Sequence, residues 1–190
     1  MEVVEEAVVV LHFSCGSYSV RASVGGLPSL YSSYVQHAAL CEEIGVSSSE
    51  GTALFVAVTD GTSEWPNLVV SQRFEPGLDS GFDPGIRLVP ETHLLLIGAG
   101  TRLLAYDLQD QRRLWEDYAD CGFWGWHQHG DVILMAAELE LAAWDIRGNK
   151  LWSTFVEPPW GYTVHGGEVR LDVMGTISVF PLRTGRSPQG

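Results

Sequence analysis

The sequence predicts an all-β fold with a single helix near the N-terminus, built from antiparallel, blade-like β-repeats. Three observations predict it: short β-branched apolar runs in the first 85 residues, one stretch with helical spacing, and a motif that recurs about every 37 residues from residue 86 onward. With 190 residues, the chain is long enough to bury a hydrophobic core and is expected to form a single domain.

In the first part, residues 1–85, strands are predicted where apolar and β-branched residues cluster between turn residues. These segments are residues 7–13, 17–24, 53–58 and 68–74. Between the second and third of them, apolar residues from Leu30 to Ile44 recur at steps of three and four, and Gly45 follows. This spacing predicts a helix over residues 29–44.

The second part, residues 86–186, contains three predicted β-repeats. Residues 103–108 (LLAYDL) recur 38 residues later as residues 141–146 (LAAWDI). A degenerate copy at residues 177–182 (ISVFPL) lies another 36 residues on. Apolar runs precede each copy, and Trp115 and Trp152 follow the first two, so each unit is predicted to contain three short strands joined by turns.

The pattern Ala, any residue, Asp, then Thr-Gly and Trp resembles the blade signature of quinoprotein-like (PQQ-type) β-propellers. Ala105, Asp107 and Trp115 stand at the intervals of that signature. Ala143, Asp145 and Trp152 do so with one residue deleted, and the third copy keeps Thr184 and Gly185 but has Pro181 instead of Asp. The resemblance covers about residues 86–186, and aromatic-Asp hairpins followed by Trp also occur in other propellers, including WD40-like repeats. In the PQQ family these residues have structural roles in turns and between blades.

The chain is short for a closed ring, because propellers usually contain four to eight blades of four strands. The sequence is therefore compatible with a small or irregular propeller, a partial ring completed by a second chain, or a stacked β-sandwich. The family's quinone lies on the axis of a large ring, and no residues that would hold it are found in this sequence. No cofactor and no dehydrogenase activity are expected.

The charge limits the classes of partner. With 24 acidic and 11 basic residues, the formal charge is -13, which opposes binding to nucleic acid. No apolar run is long enough for a membrane span, and the acidic first residues do not resemble a secretory signal. Cys15, Cys41 and Cys121 are odd in number and widely spaced, which favours free thiols and a cytoplasmic location.

Six of the seven tryptophans lie between residues 115 and 162. Trp115, Trp144 and Trp152 are expected to pack between sheets. Four aromatic residues stand in loop-like sequence rich in Gly and Pro and are the candidates for an exposed binding patch: Trp124, Trp126, Trp160 and Tyr162.

A second candidate is the segment CGFWGWHQHGD, residues 121–131. His127 and His129 are two residues apart, so a strand would place both imidazoles on one face, as a metal site with Asp131 would require. A turn with solvated histidines explains the same residues, and nothing in the sequence nominates a further ligand. No metal is the expectation.

Two classes of function remain. The first is a non-catalytic protein-protein interaction module, one version of which is a bacterial immunity protein that neutralises a cognate toxin. The second is a small metal-assisted enzyme that uses His127 and His129. The first is the prediction, with a protein partner of unknown identity, and the sequence leaves a homo-oligomer open.

Overall fold

The strands of the computed structural model form four sheets, and residues 9–48, 50–61, 63–75 and 82–186 are described. Sheet 1 contains β1 (Val9–Cys15), β2 (Tyr18–Val24), β3 (Leu40–Ile44), β4 (Thr52–Asp60) and β5 (Leu68–Phe74). Sheet 2 contains β6 (Gly85–Val89), β7 (Leu94–Ala99), β8 (Arg102–Asp107) and β9 (Arg112–Tyr118). Sheet 3 contains β10 (Phe123–His129), β11 (Val132–Ala137), β12 (Glu140–Asp145) and β13 (Lys150–Phe155). Sheet 4 contains β14 (Trp160–His165), β15 (Glu168–Val173) and β16 (Thr176–Pro181). The helices are α1 (Tyr31–His37) and a 3-10 turn at Pro90–Thr92.

Sheets 2, 3 and 4 are simple meanders, in which each strand pairs antiparallel with the next one along the chain. Sheet 1 has the order β1-β2-β4-β5-β3, and β3 runs parallel to β5. The predicted fold class is confirmed: the chain is mostly β, with several antiparallel sheets of repeated build and one α-helix in the described residues. The strands predicted in the first part are also found, apart from residues 7 and 8, which lie outside the described residues.

The prediction of a helix over residues 29–44 is wrong at its C-terminal end. Helix α1 ends at His37, and Leu40–Ile44 forms a strand on the free edge of β5. The spacing of Leu40, Cys41 and Ile44 fits a helix, but it fits a strand too. Leu40 and Ile44 pack on one face of sheet 1, while Cys41 packs under α1 on the other face.

The four sheets pack face to face in chain order, with one hydrophobic core between each neighbouring pair. Val56 and Leu95 belong to the core between sheets 1 and 2, Leu96 and Ile133 to the next, and Leu134 and Val169 to the last. Leu95 and Leu96 therefore face opposite cores, as adjacent strand residues must. No core in the described part of the chain joins sheet 4 to sheet 1, so these sheets form an open stack instead of a closed ring.

Tryptophans on the fourth strands tie each sheet to a turn of the next sheet. Trp115 of β9 donates its indole N–H to the carbonyl of Gly148 (2.6 Å), and Trp152 of β13 donates to the carbonyl of Leu182 (2.8 Å). Gly185 lies against Trp152 at φ +70°, and an added Cβ would come within 2.6 Å of the indole Cγ. The expectation that Trp115 and Trp152 pack between sheets is confirmed.

Candidate partner-binding surface

The first strands of sheets 2, 3 and 4, which are β6, β10 and β14, lie side by side along one flank of the stack. Arg87 of β6 donates from Nη2 to the side-chain oxygen of Gln128 in β10 (2.8 Å). Aromatic rings then join β10 to β14. This flank brings together most of the residues that the sequence singled out.

A bulge in β10 decides which side chains face solvent. Trp124 is the extra residue, because Phe123 and Gly125 pair with the consecutive residues Ala137 and Ala136 of β11. The bulge shifts the alternation of the strand, so Trp124 and His127 point to the accessible side although they are three residues apart.

The same bulge contradicts the prediction for Trp126, which is not part of an exposed patch. Its side chain is only 8% exposed and packs in the core between sheets 2 and 3. Its ring contacts those of Phe123 and Trp144, with centroids 5.4 and 5.6 Å away. Regular alternation would have placed Trp124 and Trp126 on the same face.

The other three candidates, together with His127, form a continuous aromatic row. Trp124 stacks on Trp160 with ring centroids 5.2 Å apart and planes 12° from parallel. Trp160 stacks on Tyr162 at 6.2 Å and 19°, and His127 meets Tyr162 edge to face at 6.2 Å. The aromatic row crosses the seam between sheets 3 and 4.

The aromatic row is held in place by its surroundings. Trp160 donates its indole N–H to the backbone carbonyl of Glu138 (2.9 Å), which fixes the central ring. Burial raises the pKa of Tyr162 to about 12, so its phenol stays protonated and able to donate a hydrogen bond. Trp124 is 39% exposed, more than the half-buried Trp160 and Tyr162.

Two of the candidate metal ligands interact with other residues. Asp131 forms an ion pair with Arg183, while His127 contacts Tyr162. His129 is half-buried, and burial together with the neighbouring His127 lowers its pKa, which favours the neutral imidazole. Among the described residues, no group of three or more His, Cys, Asp or Glu side chains is placed to hold a metal ion.

A cavity of about 660 Å³ lies elsewhere, at the junction of sheets 1 and 2. It is lined by Arg73, Arg102, Tyr118 and Cys121, among others. Arg102 is already paired with Glu116 and touches Tyr118. No sequence motif marked this cavity, because its lining comes from four strands and loops far apart in the chain.

Neither described helix is long and apolar enough to cross a membrane. Cys15, Cys41 and Cys121 are free thiols.

Comparison with known proteins gives structural likenesses only. No protein family model matches the chain, and no curated protein matches it. The chain is similar to the computationally designed protein Ika4, with 16% identity and a TM-score of 0.42 over 55% of this chain and 69% of that one. It is also similar to BamB from Moraxella catarrhalis, with 14% identity and a TM-score of 0.43 over 73% of this chain. The chain spans 46% of the length of BamB.

Proposed function

We propose that this protein is a non-catalytic protein-protein interaction module and that the aromatic row of Trp124, Trp160, Tyr162 and His127 contacts its partner. One observation carries the proposal: three aromatic rings stack into a continuous, partly exposed row on neighbouring strands. Trp and Tyr are enriched among the residues that dominate binding energy at protein interfaces.

The row is suited to binding because it is already ordered. Its members belong to strands, except for the bulge at Trp124, and the rings restrain each other by stacking. When a partner binds, these side chains lose little conformational freedom because they are already ordered. More of the contact energy then remains as affinity.

The charge supports a partner of a particular kind. A formal charge of -13 favours a basic or amphipathic protein, because complementary charge raises the association rate and discourages wrong partners. Nucleic acid and membrane are not part of the proposal. The location proposed for this interaction is the cytoplasm.

We also propose that the repeats of sheets 2, 3 and 4 are of the quinoprotein-like type. The roles of two signature residues support this. Asp145 accepts hydrogen bonds from the backbone N–H groups of Arg147 and Asn149 (both 2.9 Å) and so organises its turn, and Trp152 joins two sheets. Both are structural roles, in agreement with a protein that uses its fold as a display surface.

The experiment is site-specific photo-crosslinking in the source cell. Two variants of the protein are made: a photoreactive phenylalanine analogue replaces Trp124 in one variant and Phe155 in the other. Phe155 is the matched control, because it is an aromatic residue of the same sheet, 59% exposed, on the opposite edge strand β13. A discrete crosslinked partner at position 124, and none at 155, is expected.

The identified partner is then titrated against the wild-type protein, Trp124→Ala and Phe155→Ala. Loss of Trp124 should weaken binding by about 30-fold, since an aromatic anchor at a hot spot contributes about 2 kcal/mol or more. Equal affinities for the two variants would contradict the proposed surface. Stoichiometric zinc or iron in the purified protein, lost after His127→Ala and His129→Ala, would contradict a purely non-catalytic module.

A further inference from the structure

In the described residues, sheet 4 has three strands, whereas sheets 2 and 3 have four. The third strands of the repeats, β8, β12 and β16, occupy equivalent positions, and β8 and β12 each pair with a fourth strand, β9 or β13. Among the described residues, β16 pairs only with β15. The second edge of β16 therefore presents backbone N–H and C=O groups without a partner strand in this part of the chain.

A groove of about 460 Å³ runs along this edge, where the fourth strand would lie. Ser178, Val179 and Phe180 line its length, and Gly185 and Arg186 line one end. Val179 is 54% exposed, whereas the equivalent Ala105 and Ala143 are completely buried. Ala105 and Ala143 are covered by the next sheet, whereas no sheet in the described residues covers Val179, so an apolar surface lies open beside the backbone groups of this edge.

The edge of β16 is not protected by charge. Edge strands usually carry charged residues that discourage pairing with another chain. Strand β9 has four charged residues, Arg112, Arg113, Glu116 and Asp117, and β13 has Lys150, but β16 (TISVFP) has none. Of the three edge strands compared, β9, β13 and β16, strand β16 can therefore accept another strand most readily.

One cation marks the end of the groove. Arg186 donates from Nη2 to the hydroxyl of Ser178 (2.6 Å) and lies 5.5 Å from the ring centroid of Phe180. Lys150 holds the equivalent place in sheet 3, 5.1 Å from the ring of Trp144, but its ammonium pairs with Asp117 (2.8 Å). Arg186 pairs with no carboxylate in the described residues, and the neighbouring Arg183 is paired with Asp131.

We propose that the free edge of β16 binds an extended segment of a partner protein, which pairs antiparallel with β16 as the fourth strand of sheet 4 and places a carboxylate on Arg186. Main-chain hydrogen bonds supply affinity in such strand addition, and side-chain contacts supply specificity. A second copy paired through β16 fits less well, because the two-fold arrangement with Ser178 opposite Ser178 would bring two Arg186 guanidinium groups together. This surface is separate from the aromatic row and does not depend on the proposed function.

The probe is a fluorescein-labelled peptide of residues 150–156, the strand that fills the equivalent place in sheet 3, with Lys150→Asp at its first position. Fluorescence polarisation with the full chain should show saturable binding of this peptide. The unchanged lysine peptide should bind about tenfold more weakly, since a charge-assisted hydrogen bond to Arg186 is replaced by repulsion. A version N-methylated at alternate residues should not bind, because it cannot pair with the edge.

Two variants of the protein give the matched comparison. In Arg186→Ala the preference for the acidic peptide over the lysine peptide should disappear. Arg183→Ala removes a nearby arginine outside the groove. The preference should then be unchanged within twofold, because the exposed ion pair that Arg183 forms with Asp131 contributes little. Equal binding of the acidic and N-methylated peptides would overturn the proposal.

Two further outcomes would also overturn it. A dimer in analytical ultracentrifugation that the peptide dissociates would assign the edge to a second copy of the chain. A gain of more than about tenfold in peptide affinity after deletion of residues 187–190 would assign it to the chain's own last residues. A monomer whose peptide affinity is unaffected by the deletion supports the proposed partner strand.

Discussion

Sheets 1 and 4 form the two ends of the stack, and their outward faces are protected by different means. On sheet 1, the outward residues Phe55, Ala57 and Val69 are buried under α1. On sheet 4, the outward residues of β15 are charged, with exposed Glu168, Arg170 and Asp172 alternating with the buried Val169 and Leu171. One end is covered by a helix and the other is solvated.

The difference shows that a stack of sheets can be ended in two ways. A terminal repeat needs a polar outer face, or a cover, to stay soluble. Helix α1 has only seven residues, so it is too short to be stable alone and depends on its contacts with Phe55. Sheet 4 has no such cover in the described residues, and its outer apolar residues, Ile177 and Val179, remain exposed.

The largest effect is expected where the helix covers sheet 1. Phe55 is completely buried, stacks on Tyr34 with centroids 5.7 Å apart and meets Tyr31 at 6.0 Å. Phe55→Ala should lower the free energy of unfolding by about 3 to 5 kcal/mol in urea denaturation, as for large cavities in cores. A loss below about 1 kcal/mol would mean that the two ends are equally open. Val179→Ala on sheet 4 is the control and should have little effect.

The second-largest loss of stability is expected where sheet 4 packs against sheet 3. Gly185→Ala combines a left-handed backbone with a contact of 2.6 Å to Trp152, and should cost about 2 to 4 kcal/mol. Gly167→Ala, at φ +81° with no heavy atom within 4 Å, carries only the backbone cost of about 1 kcal/mol. Urea midpoints of the two variants measure the difference. Equal losses would show that Trp152 does not pack tightly against Gly185.

The turn of sheet 3 contains Asp145 where sheet 4 has Pro181. Burial raises the pKa of Asp145, but hydrogen bonds from Asn149 and Arg147 lower it by more than burial raises it. The pKa of Asp145 is therefore below the ordinary 3.8. Asp145→Ala should cost about 1.5 to 3 kcal/mol at pH 7, the range for hydrogen bonds to a charged group.

This contribution has a defined pH window. A lowered pKa in the folded state stabilises the protein above pH 3.8, and the stabilisation is lost as the pH falls below 3.8 through the folded pKa. The difference between wild type and Asp145→Ala should therefore narrow at acidic pH. Asp110→Ala, at an exposed turn position, is the control. A difference that does not change with pH would contradict the role given to the carboxylate.

The smallest effect is expected on the solvated face of sheet 4. Ile177 is 47% exposed, so Ile177→Ser should change the free energy of unfolding by no more than about 0.5 kcal/mol. The equivalent residues in sheets 2 and 3, Leu103 and Leu141, are completely buried. A large loss for Ile177→Ser would show that something covers this face in solution.

Sequence patterns predicted much of the fold, because strand alternation and the repeat are local properties. The wrong end of the helix shows the limit: Leu40 to Ile44 fit both periodicities, and the free edge of β5 selects the strand. Trp126 shows a second limit, because the bulge at Trp124 directs the side chain of Trp126 into the core. The Gly- and Pro-rich sequence around Trp124, Trp160 and Tyr162 indicates a binding patch, but no sequence pattern indicates that their rings stack.

By itself, the sequence determined the three repeats, the predominance of strands and the acidic character, because these depend on residue type and spacing along the chain. Tertiary structure decided that the sheets form an open stack, that α1 covers one end, and that β10 meets β14 to build the aromatic row. Those outcomes depend on contacts between residues distant in the chain. They follow from which apolar faces and strand edges find partners in three dimensions, and no local periodicity specifies that.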